Sequence, residues 1–131
     1  MGYSHYWDSS KMAEQEFSGK ALNSIYQLLT VAFYANEIAF ESDAPALAPL
    51  VCKDAIHFNG VGEAGHETFY LDIGSKSFCK TNQKLYDKYV VAVFCIIAYY
   101  HPDFDWSSDG DTDDLEEGRA IAEKFCYTKN S

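Results

Sequence analysis

The sequence predicts an α+β fold: a single domain, residues 1–131, with a small antiparallel or mixed sheet packed by about three helices. Three observations lead there. One long stretch has apolar residues at helical spacing, a second apolar run is too long for a typical strand, and the strand-like segments cluster between them without a regular βαβ alternation. A chain of 131 residues with 47% apolar and 16% aromatic side chains fits one domain with a real core.

Taken in order, Tyr3 to Trp7 reads as a short strand with Tyr3, His5 and Trp7 on one face, and Asp8, Ser9 and Ser10 then offer caps for a helix. Ala21, Leu22, Ile25, Leu28, Leu29, Ala32 and Phe33 recur at helical spacing, with Lys20, Asn23 and Gln27 opposite, so a helix is predicted here. Between Ile38 and Leu50, Pro45 and Pro49 interrupt the pattern and predict a loop. Ala55 to Phe58 and Glu67 to Leu71 read as strands of a hairpin, joined by the glycine-rich turn from Asn59 to Gly65. Lys76 to Lys80 adds a strand, and Leu85 to Tyr100 reads as a buried helix that Pro102 prevents from continuing. Phe104 to Trp106 suggests a short strand, and Leu115, Ala122 and Phe125 form a weaker helical stripe.

Twenty acidic against ten basic residues give a formal charge of -10, which opposes general attraction to nucleic acid or anionic lipid. The apolar run Tyr89 to Tyr100 is short of the roughly 20 residues that span a bilayer, so no membrane segment is expected. The start MGYSHYW carries neither a basic nor an apolar leader, and a cytoplasmic location is the expectation. Cys52, Cys79, Cys95 and Cys126 are far apart, which favours free thiols over disulfides or zinc.

Three segments have the makings of a site. FNGVGEAGHETF, Phe58 to Phe69, combines turn glycines with Asn59 and the titratable pair His66 and Glu67, but lacks both the phosphate-loop and the zinc-protease signatures. FCKTNQKLYDK, Phe78 to Lys88, places Lys80, Thr81 and Lys84 at a strand-to-helix junction, with Lys76 and Lys88 nearby. Thr81 or Asn82 capping the helix would create an anion site. DWSSDGDTDDLE places oxygens at Asp105, Ser107, Asp109, Asp111, Asp113 and Glu116 with Gly110 at the turn, the spacing of an EF-hand loop. Pro102 and the lack of a second loop count against calcium, and no cofactor is favoured. Catalysis by Cys79 with His66, or by His66 with Glu67 or Asp87, would need a proximity that the sequence does not provide. Tyr6, Trp7 and Trp106 are candidates to stack a nucleobase, against the more usual role of core aromatics.

HYW at His5 to Trp7, FNGVGEAGHETF, FCKTNQKLYD at Phe78 to Asp87 and SSDGD at Ser107 to Asp111 together resemble a family of small tailed-bacteriophage proteins, over most of the chain. In that family Arg and Pro often stand where Gln83 or Lys84 and Leu85 stand here, so no shared ligand contact is implied at this point. The resemblance implies a viral source and no particular reaction. The expectation it supports is an accessory protein of the host cell cytoplasm that binds a host defence protein or sequesters a nucleotide signal. A homo-oligomer is compatible with this. A small hydrolase acting on a nucleotide or a modification, and a calcium module, are the alternatives. In the nucleotide version Lys80, Thr81 and Lys84 hold phosphate, His66 and Asn59 add polar contacts, and Trp7 or Tyr86 stacks the base.

Overall fold

A computed structural model describes residues 3–126. Three helices and two small antiparallel sheets form a single α+β domain. Strand β1 (Ser4–Asp8) is followed by a short 3-10 turn, Ser9–Lys11, in place of the helix that Asp8, Ser9 and Ser10 suggest. Asp8 still caps that turn, accepting from the Ser10 amide at 3.0 Å. Helix α1 (Gly19–Tyr34) is capped by Ser18 and buries Ala21, Ile25, Leu28, Leu29 and Ala32, the apolar side of the predicted helix.

The segment expected to be a loop contains β2 (Ile38–Ala39), and its end enters β3 (Leu50–Cys52). Both pair with β4 (Ala55–Gly60), so strand pairing overrides the two prolines outside these short elements. β4 and β5 (Phe69–Asp72) form the predicted hairpin, from Ala55 opposite Asp72 to Phe58 opposite Phe69. The glycine-rich connection between them needs its glycines: a Cβ on Gly60 would lie 2.3 Å from the Ala64 carbonyl oxygen.

β6 (Lys76–Lys80) joins the other sheet, where β1 lies between it and β7 (Asp105–Ser108) in the order β6-β1-β7. Ser9 links the two sheets, because its single hydroxyl hydrogen is shared between the Asp72 and Ser75 carbonyls while its oxygen accepts from the Gly74 and Ser75 amides.

Helix α2 (Asp87–Tyr100) is the centre of the core, and its β-branched residues are tolerated because Val90, Val91, Val93, Ile96 and Ile97 are all buried. Phe94 has ring neighbours on both sheets, Trp7 and Trp106 on one and Phe69 on the other. α3 (Thr112–Cys126) packs along α2 and approaches closely at Gly118, where a Cβ would lie 2.6 Å from Val91. Among the described residues, no helix is long and apolar enough to cross a membrane.

Candidate functional site

Strand alternation divides the β6-β1-β7 sheet into two unlike faces. His5 and Trp7 on β1, with Cys79 on β6, turn inward and are buried. The outer face carries two rows of cross-strand neighbours: Lys76, Asp8 and Asp105 in one, Phe78, Tyr6 and Ser107 in the next. Phe78 is 57% exposed and Tyr6 41%, and their rings lie 6.3 Å apart, inclined at 36°. A groove of about 470 Å³ runs over this face, with Lys11 at its rim beside the two rows.

The charges in the groove are arranged in a definite way. Lys11 pairs with Asp105 at 3.2 Å. The Asp8 carboxyl is held below its ordinary range, first by the Ser10 hydroxyl and then, among smaller causes, by the charges of Lys11 and Lys76. Both ammonium groups therefore act on one spot. Tyr6 donates to Asp109 at 3.2 Å, and Asp109 also accepts from the Ser4 amide at 2.9 Å. An aromatic floor of two mutually inclined rings, with cations and hydrogen-bonding oxygens at its edge, suits recognition of a ligand that is aromatic at one end and polar at the other.

The residues expected to hold phosphate are committed elsewhere. Helix α2 begins at Asp87, two residues after the Leu85 start read from the sequence, and its N-cap position is Tyr86 instead of Thr81 or Asn82. Asn82 and Gln83 adopt left-handed backbone angles (φ 54° and 55°) that carry the chain across the junction, and the Thr81 side chain is fully buried. The Thr81 hydroxyl donates to Asp87 Oδ1, which also binds His5 Nε2 at 2.5 Å. A carboxylate of the protein itself thus occupies the positive end of α2 where an outside anion was expected. Lys80 and Lys84 are half-buried, and the Lys80 amide is taken by the Glu67 carboxylate at 2.8 Å.

The Asn59 side chain is buried and fully engaged in its own turn. Its carboxamide donates to the His66 carbonyl and Thr68 hydroxyl, both at 3.0 Å, and accepts from the Gly60 and His66 amides. His66 itself is exposed. Glu67 does meet Lys80, its amide donating to the Lys80 carbonyl and its carboxylate accepting from the Lys80 amide, so these two segments adjoin. Neither Trp7 nor Tyr86 presents a stacking face to solvent. The Trp7 ring packs between Phe69 and Phe94, and the fully buried Tyr86 donates its hydroxyl to the Glu67 carbonyl.

The acidic segment does not close into an ion-binding loop. Asp105 and Ser107 lie on a strand paired with β1, which spreads their oxygens along the sheet, while Asp111 and Asp114 cap α3 by accepting from each other's amides. Asp113 and Glu116 lie exposed on that helix. Among the described residues, no group of three or more His, Cys, Asp or Glu side chains is placed to hold a metal ion.

All four cysteines are free. Burial pushes the Cys79 thiol up to about 12, despite the opposing effect of the Tyr86 hydroxyl. The buried thiol stays protonated at pH 8, which disfavours thiolate chemistry between Cys79 and His66. Iodoacetamide at pH 8 is therefore expected to leave Cys79 unmodified in the folded protein and to alkylate it after unfolding in urea. Peptide mass mapping with and without urea checks this, and rapid native alkylation of Cys79 would contradict it.

What the residue types alone did not reveal is the Tyr6 and Phe78 pair. The available signal was strand alternation, since inward Tyr3, His5 and Trp7 leave Tyr6 outward, but the pairing of β1 with β6 joins segments about seventy residues apart. No family model matches the chain, and no curated protein and no solved structure matches it either.

Proposed function

We propose that the chain is a viral accessory protein that acts by binding in the host cell and counteracts defence, its target being a defence protein or a nucleotide signal made by one. The binding surface is the outer face of the β6-β1-β7 sheet. The observation that supports this most is the exposed aromatic pair Tyr6 and Phe78 in a groove whose opposite charges stand close together. Aromatic residues of this kind are enriched where proteins meet partners, and a concave apolar site with a few polar groups is the usual form of a ligand pocket. The resemblance of the sequence to small tailed-phage proteins supports the viral setting.

The test is a plaque assay on bacteria carrying defence systems. Expression of the wild-type chain is expected to restore phage growth on at least one such host, and the Tyr6→Ala, Phe78→Ala double variant is expected to lose that effect while keeping its thermal midpoint. Full activity in the double variant would overturn the assignment of the sheet face.

A further inference from the structure

We infer that the groove on the β6-β1-β7 sheet takes a nucleoside 5′-phosphate, with the base on Tyr6 and Phe78 and the phosphate at Lys76 and Lys11. This rests on the reading of that face as the binding surface. Two residues along a strand advance about 7 Å, so the aromatic row and the Lys76, Asp8, Asp105 row are separated by a distance that one ribose bridges. The order of groups across the face matches the order of groups in the ligand.

Each part of such a ligand meets suitable chemistry. A base has a π-face for the exposed rings, and stacking of this kind tolerates any base. Lys76 is exposed beside Asp8, whose Oδ1 accepts from the Ser10 amide and hydroxyl while Oδ2 takes no part in those bonds. Lys11 reaches Asp105 through an exposed pair that exchanges readily with solvent and with another anion. The carboxylates of Asp8 and Asp105 are acceptors for ribose hydroxyls. The cavity of about 470 Å³ lies within the ordinary range for small-ligand sites.

The formal charge of -10 does not oppose this decisively, because at physiological salt the screening length is about 8 Å and the charges within the groove balance. It does oppose a long single strand, whose many phosphates would extend beyond Lys11 and Lys76 over an acidic surface.

Isothermal titration with AMP, GMP, adenosine, inorganic phosphate and a short single-stranded oligonucleotide tests the inference. AMP or GMP is expected to bind at least about tenfold more tightly than adenosine or inorganic phosphate. Lys76→Glu and Phe78→Ala should each weaken that binding by about tenfold or more, and Lys84→Ala should leave it unchanged. Unchanged thermal midpoints establish that the variants fold. The inference is overturned if neither mononucleotide binds at millimolar concentration, if adenosine binds as well as AMP, if the oligonucleotide binds better than the monomer, or if Lys84→Ala is the damaging change. If nucleotides fail while the Tyr6→Ala, Phe78→Ala variant still loses its effect in the plaque assay, the face serves a polypeptide, and only the ligand assignment falls.

Discussion

Asp87→Ala is expected to lower the unfolding free energy by about 3–5 kcal/mol, because it removes one partner of a buried pair and leaves the other unsatisfied. His5 is 0% exposed and its Nε2 is bound to Asp87 at 2.5 Å, while Thr81 donates to the same carboxylate oxygen. Among the described residues His5 Nδ1 has no hydrogen-bonding partner, so none of them offers the imidazole an alternative bond on its other side. The same carboxylate stabilises the positive end of α2, which adds to the loss. Urea unfolding measures the change. Replacing the group together, with His5→Phe, Thr81→Val and Asp87→Leu, is expected to cost less than Asp87→Ala alone, since no polar atom is then stranded. A single-variant loss below about 1 kcal/mol would mean that the cluster does not hold the junction.

Phe94→Ala is expected to cost a similar amount, about 3–5 kcal/mol, for a different reason: it leaves a cavity where both sheets meet α2. Phe94 is fully buried, stacks on Trp106 at 5.0 Å and 22°, and has Phe69 at 5.5 Å and Trp7 at 5.7 Å. Trp7 and Trp106 form the inner side of the strands that carry the groove, so loosening them should weaken binding as well as stability. Phe94→Leu keeps most of the volume and should recover much of the loss in urea unfolding. Equal effects of Ala and Leu would argue against a cavity as the cause.

Local patterns made much of the fold legible. The apolar spacing of Ala21, Ile25, Leu28, Leu29 and Ala32 marks α1, and the strands at Ala55 and Phe69 with glycines between them mark the hairpin. β6 has the bounds read from the sequence, Lys76 and Lys80. What could not be read there was its partner, because the choice between the nearby hairpin and the distant β1 depends on packing against α2.

The candidate site was less legible for a related physical reason. Counting Lys80 and Lys84 before a helix suggests an anion site, but spacing does not reveal that Asp87 bonds with His5, eighty-two residues away, and occupies that helix end. Likewise the oxygens from Asp105 to Glu116 have the spacing of a loop, yet the first part pairs with β1 and the last part is helix. The lysine-bearing and acidic segments nonetheless meet in the structure: Lys76 lies on β6 at one edge of the sheet and Asp105 on β7 at the other, with Asp8 between them and the aromatic pair in the next row.

In the proposed function the outer face of the β6-β1-β7 sheet is the binding surface. Amide and side-chain NMR of the labelled protein during titration with a nucleoside monophosphate tests it most directly. The largest shift changes are expected on Tyr6, Ser77, Phe78 and Lys76, with little change from Asn82 to Leu85 or on the exposed side of α1. Changes centred on Lys80 to Lys84 and His66, with Tyr6 and Phe78 unmoved, would contradict it.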